Sequence, residues 1–123
     1  MRMRLGAKLD VVLALREDGT PSVRKLLSVV PFTSVSNRWG EEIYFTAPFH
    51  SELEADARAI MQVGDAAYWP DGDAIALFFG RTPASTDDRP RAYGPCNIIG
   101  KVEGDPFRLT RVASGSAVVV RAF

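Results

Sequence analysis

The segment 64–85 restricts the fold of this 123-residue chain more than any other part of the sequence. Pro-Asp-Gly-Asp at 70–73 lies between Tyr-Trp at 68–69 and the apolar run 75–79. Proline presets one turn dihedral and glycine allows a positive φ, so the pattern predicts a β-hairpin, and its apolar character places it in the core. Beyond it, Gly-Arg-Thr-Pro at 80–83 presents a charge, a hydroxyl and a rigid bend at the end of a buried strand, which is typical of a displayed site.

The sequence before this hairpin predicts two strands, one helix and a second hairpin. Residues 1–5 and 9–16 alternate or are mainly apolar, as strands are. Thr20 is placed as a helix N-cap and Pro21 as the first helical residue, and Pro31 ends the helix. The side chains expected on its buried face are Val23, Leu26, Leu27 and Val30. Two β-prone runs, 32–36 and 42–46, are expected to pair as a hairpin.

Residues 55–63 fit either a helix, because they are rich in alanine, or a strand, because their apolar residues alternate. We predict a turn near 51–54 followed by a strand at 58–63. The remaining predicted elements are an irregular surface loop at 80–97, a strand at 97–102, one helical turn at 106–111 capped by Asp105, and a final strand at 117–120.

Composition narrows the class of protein. The chain carries 15 basic and 15 acidic residues, so its formal net charge is zero and a nucleic-acid partner is not expected. Its length suits one domain, residues 1–123. The single cysteine, Cys96, excludes an intramolecular disulfide. Residues 1–5 do not resemble a signal peptide, and no apolar run is long enough to span a membrane. We expect a cytoplasmic, prokaryotic protein without a membrane partner.

No metal and no other cofactor are predicted. His50 with Glu52, Glu54 and Asp56 has the alternating spacing of metal ligands, but a structural zinc site built from one histidine and several carboxylates is unusual. Asp-Gly-Asp at 71–73 lacks the further oxygen ligands of a calcium loop. Cys96 is interpreted as an inert, partly buried thiol, not as a nucleophile beside His50.

Many short strands with one clear helix predict a mainly β fold. A closed β-barrel of about eight strands with one or two short helices removes exposed strand edges, and one helix can cover an end of it.

Four segments, 39–45, 64–70, 76–83 and 97–102, together resemble a prokaryotic cyclophilin-like domain family of uncharacterised function. The resemblance extends over nearly the whole chain and implies a cyclophilin-like closed β-barrel of about eight strands.

True cyclophilins are more distantly similar. Phe78-Phe79 followed by Thr82 is similar to their Phe-Phe-x-Thr run, residues 100–104 to their Gly-Lys-Val-x-x-Gly segment, and Phe-His at 49–50 to their Phe-His-Arg. Ser51 stands where that family has its catalytic arginine, which disfavours peptidyl-prolyl isomerase activity. Arg81 or Arg91 substitutes for that arginine only if the fold brings one of them to the same cleft.

A ligand-binding cleft is the leading functional hypothesis, for a peptide or a small carboxylate. The candidate binding residues are Glu42, Tyr44, Phe79, Arg81, Thr82 and Asn97. An arginine offers forked donors to a carboxylate or a peptide carbonyl. Glu42 either faces solvent by strand alternation, the favoured interpretation, or pairs with a cation in the cleft.

Aromatic residues are also considered as cleft walls. About one of the five is expected to reach a pocket: Tyr44, Tyr68, Trp69, Phe78 and Phe79. The alternatives to a binding module are a peptidyl-prolyl cis-trans isomerase and a structural protein that self-associates into a homo-oligomer.

Overall fold

The computed structural model describes residues 1–7 and 9–123. One α-helix, α1, and two 3₁₀ helices accompany ten strands. The α-helix spans Pro21–Val29, and the 3₁₀ helices span Pro70–Gly72 and Pro106–Arg111. The strands are β1 (Arg2–Leu5), β2 (Leu9–Leu15), β3 (Phe32–Val35), β4 (Asn37–Arg38), β5 (Glu42–Thr46), β6 (Arg58–Ile60), β7 (Asp65–Trp69), β8 (Ala74–Phe78), β9 (Arg91–Val102) and β10 (Ala117–Arg121).

The strands form one antiparallel sheet in the order β3-β10-β1-β2-β9-β7-β8-β5-β4, and β6 pairs with β9. The mainly β fold is therefore confirmed, with ten strands instead of about eight. The closed barrel is not confirmed, because the path of paired strands ends at β3 and β4 without returning on itself. At that opening, the Ser34 hydroxyl donates to the Thr46 carbonyl oxygen at 2.7 Å.

The hairpin β7–β8 is the centre of the core, as predicted. Every residue of β8 is buried, because both of its faces are covered. One face packs into the main core with residues such as Leu13, Phe45, Tyr68, Leu77 and Ile99. The opposite face carries a smaller apolar cluster of Met61, Ala67, Ala76, Phe78, Ala92 and Cys96. Several residues of this second cluster also line the candidate site described below.

The helix begins and ends close to its predicted bounds, but its cap differs. Thr20 makes no side-chain capping bond; instead the Ser22 amide donates to Oε2 of Glu54 at 2.9 Å. Val23 and Leu26 are buried, whereas Leu27 is 47% exposed and does not share their face. A distant carboxylate therefore satisfies the helix N-terminus, which no local pattern indicates.

The predicted hairpin of 32–36 with 42–46 is wrong. β3 pairs with β10, and the short strand β4 pairs with β5 instead. Ser36 causes the change of partner, because its amide donates to the Ser116 carbonyl and its hydroxyl to the Ala113 carbonyl.

The ambiguous segment forms a strand, as predicted, but a shorter one that ends at Ile60. Its turn lies at residues 55–56, not at 51–54. Gln62 and Asp65 end the strand by forming a turn, in which the Gln62 amide donates to the Asp65 carboxylate at 2.8 Å. The irregular loop is also shorter than expected, because β9 already begins at Arg91. The helical turn capped by Asp105 is confirmed.

In the described ranges 1–7 and 9–123, no helix has the length and apolar character needed to cross a membrane.

Candidate functional site

A cavity of about 170 Å³ opens over the second apolar cluster. Five aromatic side chains form its walls: Trp39, Tyr44, Trp69, Phe78 and Tyr93. Its remaining lining residues are three alanines, one carboxyl and one thiol: Ala74, Ala76, Ala92, Glu42 and Cys96. We call this cavity the aromatic pocket.

Strand pairing explains why these side chains meet. In the register of β5 against β8, Glu42 lies opposite Phe78 and Tyr44 lies opposite Ala76. Side chains alternate along a strand, so Glu42 and Tyr44 point to the pocket, while Ile43 and Phe45 point into the main core.

The ring of Tyr93 stands at a steep angle to the rings of both Trp39 and Trp69. The ring of Tyr93 lies 6.2 Å from that of Trp39 at an interplanar angle of 65°, and 5.7 Å from that of Trp69 at 69°. Tyr93 is 78% exposed and therefore forms the rim of the pocket. Ring surfaces consequently approach the cavity from several directions.

A tight turn holds Trp39 and Glu42. The Trp39 amide donates to the Glu42 carbonyl at 3.0 Å, and the Glu42 amide donates to the Trp39 carbonyl at 3.2 Å. Gly40 within the turn has φ of 62°, and a Cβ atom there would lie 2.9 Å from both the carbonyl oxygen of Arg81 and Cδ of Pro83. The segment 81–83 therefore supports the turn from behind through its backbone.

We expect Gly40→Ala to destabilise the protein by about 2 kcal/mol and to displace Trp39, because alanine tolerates neither the positive φ nor the close contact. Gly104→Ala is the matched control, since Gly104 also has a positive φ of 75° but no atom within 4 Å of an added Cβ. Urea unfolding and tryptophan fluorescence measure the two effects. Equal losses in both variants would show that the contact with the 81–83 segment contributes nothing.

A second glycine lets the Trp69 indole pack against the hairpin turn. A Cβ atom on Gly72 would lie 2.5 Å from Cε3 and Cζ3 of Trp69. The positive φ of this turn falls on Asp73, at 48°, and not on the glycine. Gly72 therefore makes room for a pocket wall.

Glu42 is the polar centre of the aromatic pocket. The residue is 7% exposed, and its Oε1 has no hydrogen-bond partner among the residues that the structure describes. Burial raises the pKa of its carboxyl from the ordinary 4.5 to about 8. The sequence-based interpretation that Glu42 faces solvent is wrong, because the aromatic walls cover this face of β5. No cation lines the pocket among the described residues either, so the alternative ion pair is also absent there.

Cys96 lies beside this carboxyl and is 2% exposed. Burial, and then the negative charges of Glu42 and Asp71, raise the pKa of its thiol to about 12. The thiol is therefore protonated at neutral pH, which agrees with its interpretation as inert. At pH 7 the pocket therefore has mainly apolar walls and one mostly neutral carboxyl, that of Glu42.

Comparison with known proteins places this fold. The model of the family described as cyclophilin-like matches residues 1–121. The chain belongs to the cyclophilin-like family. The solution structure of the hypothetical protein AF2241 from Archaeoglobus fulgidus is similar to this chain with a TM-score of 0.81 and 36% sequence identity, over 99% of this chain and 92% of the archaeal one. No curated protein matches the chain.

In this cyclophilin-like domain, the residue that the sequence resemblance matched to the cyclophilin arginine, Ser51, contributes to the core. Ser51 is fully buried, and its amide donates to the Tyr68 hydroxyl oxygen at 3.1 Å. Neither Arg81 nor Arg91 lines the aromatic pocket. Arg81 is exposed and lies 3.7 Å from the Asp88 carboxylate.

The structure brings two of the six candidate residues together in the pocket, Glu42 and Tyr44. Phe79 lies in the main core, 5.1 Å from the guanidinium of Arg38. Thr82 is buried in the 80–91 loop, where its hydroxyl donates to the Arg91 carbonyl. Thr82 and Arg81 therefore belong to the 80–91 loop and not to the pocket lining.

Asn97, the sixth candidate, is fully buried between three segments. Its Nδ2 donates to the Ser22 hydroxyl at 2.9 Å and to the Glu52 carbonyl at 2.8 Å, and its Oδ1 accepts from the Glu54 amide at 2.8 Å. It connects helix α1, the 52–54 segment and β9.

Sequence reasoning missed Trp39, Tyr93 and the three alanines as pocket residues. Of the five aromatic residues considered, three reach the pocket instead of about one: Tyr44, Trp69 and Phe78. The period-two spacing of Glu42 and Tyr44 could have indicated a shared face. Nothing local signals Tyr93, which lies in the part of β9 that pairs with β6 and is distant in sequence from the other aromatic walls.

His50 belongs to a separate, exposed network. Its Nδ1 lies 2.7 Å from Oδ1 of Asp73, which also accepts from the Tyr68 hydroxyl at 2.8 Å, and its Nε2 lies 3.0 Å from Oε1 of Glu52. Asp73, and then Glu52, raise the pKa of His50. No group of three or more potential ligands within residues 1–7 and 9–123 is arranged to hold a metal.

Proposed function

We propose that this cyclophilin-like chain is a binding domain whose ligand, a peptide or a small molecule, inserts one side-chain-sized group into the aromatic pocket. The observation that carries the proposal is Glu42, which lines an aromatic cavity, is 7% exposed and has a carboxyl oxygen without a partner among the described residues. An unpaired buried polar group is costly, and such groups cluster at functional sites.

The dimensions of the cavity support this kind of ligand. Its volume of about 170 Å³ is close to the roughly 150 Å³ of an engineered cavity that holds one benzene molecule. Mostly apolar walls with a few polar groups are typical of small-molecule sites. One side chain of a peptide, or one end of a small molecule, is therefore the appropriate size.

A small carboxylate is the less favourable of the two ligand classes expected from the sequence. Its negative group would lie near Glu42, and the described lining includes no cationic side chain to pair with it. We therefore favour a ligand group that is not anionic.

Prolyl isomerisation by the known cyclophilin mechanism requires a cation over the prolyl amide. Ser51 does not supply one, and the arginines considered as substitutes, Arg81 and Arg91, lie outside the pocket lining. Binding without catalysis is thus the function that we favour. Self-association through the exposed Tyr93 stays an alternative to be tested by light scattering.

Filling the pocket is expected to abolish binding. Ala76 is 3% exposed and lines the cavity, so in Ala76→Leu the larger side chain occupies the ligand's volume. Both tryptophans of the chain, Trp39 and Trp69, line the pocket, and their indole N–H signals in NMR spectra report occupancy directly. We expect ligands from a library of short peptides and small molecules to shift both signals in wild type and to bind Ala76→Leu at least about tenfold more weakly.

Ala55→Leu is the control, because the same substitution falls on an exposed turn outside the pocket. Circular dichroism establishes that both variants are folded. The proposal is wrong if no compound shifts the indole signals, or if the compounds that do so bind Ala76→Leu as tightly as wild type.

A further inference from the structure

We infer that the group bound in the aromatic pocket is a compact organic ammonium cation, held between the aromatic rings and the Glu42 carboxylate. The inference rests on the proposed binding function and adds the chemical class of the ligand.

The arrangement of the rings is the first reason. Tyr93 stands at 65° to Trp39 and at 69° to Trp69, so rings in at least two orientations border the pocket. A cation within about 6 Å of a ring face is attracted by the ring's negative quadrupole, most strongly by tryptophan. Aromatic cages of this kind bind quaternary and methylated ammonium groups.

Charge is the second reason. Glu42 is the only lining residue with a carboxyl, and its Oε1 lacks a partner among the described residues. A neutral apolar ligand would leave this pocket-lining carboxyl without a hydrogen-bond partner, which costs free energy. An ammonium group would pair with it inside a region of low dielectric, where the attraction is stronger than in water.

The lining also selects among cations. A metal ion prefers several oxygen ligands, and the pocket has a single carboxylate with apolar walls. An ammonium that carries methyl or methylene groups places those groups against the walls and its charge near the carboxylate. The small side chains Ala74, Ala76 and Ala92 leave room for such a group.

Binding of a permanent cation should depend on the protonation of Glu42. The other titratable groups that line the pocket are Tyr44 on the same strand and Tyr93 and Cys96 on β9, and the charge of Asp71 on the 3₁₀ turn acts on Cys96. Because burial raises the Glu42 pKa to about 8, the carboxyl must lose its proton to pair with the cation at neutral pH. Affinity should therefore rise with pH up to about pH 8.

Choline and its neutral isostere 3,3-dimethylbutan-1-ol are the probes, and tryptophan fluorescence with NMR of the two indoles is the readout. We expect wild type to prefer choline by more than about tenfold at about pH 9, and choline affinity to fall more than about tenfold at about pH 6.5. In Glu42→Gln, the preference should fall to the smaller value that the aromatic rings alone provide and the pH dependence should disappear, while the neutral probe still binds. Glu41→Gln, which removes an adjacent, exposed charge outside the pocket lining, should behave as wild type.

The outcomes separate this inference from the proposed function. Equal binding of the two probes overturns the cation inference and leaves the binding function standing. Binding of neither probe, while other compounds shift the indole signals in the library screen, has the same meaning. A choline preference that is as large in Glu42→Gln as in wild type also overturns the inference. Failure of every compound to reach the pocket overturns the binding function as well.

Discussion

The variant Glu42→Gln is expected to be more stable than wild type by about 3 kcal/mol at about pH 9, and within about 1 kcal/mol of it at about pH 4. The reason is that burial raises the pKa of this carboxyl from 4.5 to about 8. Each pKa step of one corresponds to about 1.4 kcal/mol, so full ionisation destabilises the native protein by up to about 5 kcal/mol. The buried amide of glutamine reduces the gain, because it also lacks a full set of partners.

The direction in which wild-type stability changes with pH follows from proton binding. Between pH 4.5 and about 8 the native Glu42 holds its proton while the unfolded chain has released it, so wild-type stability falls as pH rises through this range. Above about pH 8 the loss is complete. The other ionisable groups are present in both proteins, so their contributions cancel when the two proteins are compared at each pH.

Urea unfolding of wild type, Glu42→Gln and Glu41→Gln from about pH 4 to pH 9 measures the effect. Glu41 is exposed, so its variant controls for the loss of one negative charge beside the site. A difference between Glu42→Gln and wild type that is constant with pH would contradict the raised pKa, and with it the burial of an unpaired carboxyl.

If Glu42→Gln stabilises the protein as expected, the result would support a functional role for Glu42. Residues that cost stability in the free protein are expected where binding requires them, because selection for folding alone would replace them. The Phe78 side chain opposite Glu42 shows that this face of the sheet accommodates apolar residues.

Local sequence patterns predicted the elements whose structure depends on local chemistry. The hairpin β7–β8 follows from two apolar runs around a proline-glycine turn, and the helix from a proline start and apolar spacing. The family resemblance added the identity of the fold. These signals need no knowledge of distant residues.

The remaining features depend on contacts that are distant in sequence. The helix cap comes from Glu54, more than thirty residues after Ser22. The partner of β3 is set by Ser36 contacts with the chain near residue 116. The pocket likewise combines the 39–42 turn with side chains from four strands, β5, β7, β8 and β9. The alternation of side chains along the strand showed that Glu42 and Ile43 point to opposite faces of the sheet. It did not show that aromatic side chains cover the face of Glu42.

Asn97→Ala is expected to destabilise the protein by about 3 kcal/mol. The Asn97 side chain makes three hydrogen bonds at 2.8–2.9 Å, to the Ser22 hydroxyl, the Glu52 carbonyl and the Glu54 amide. Removing it leaves these groups without their partner in a buried region, and each unsatisfied group costs about 1–3 kcal/mol unless water replaces the bond. The first effect should be a local opening of the helix N-terminus. Glu54, whose amide loses its bond to Asn97, also caps helix α1 through the Ser22 amide.

Asn37→Ala is the matched control, since Asn37 is exposed and its side chain makes one bond of 3.5 Å to the Val35 carbonyl. Its expected effect is below about 0.5 kcal/mol. Urea unfolding gives the stabilities, and hydrogen exchange of the Ser22 and Glu54 amides reports the local opening. Because Asn97 does not line the aromatic pocket, the folded Asn97→Ala protein should bind ligands with wild-type affinity. Wild-type stability combined with weakened binding would instead make Asn97 a ligand residue, as the sequence had suggested, and would contradict its structural role.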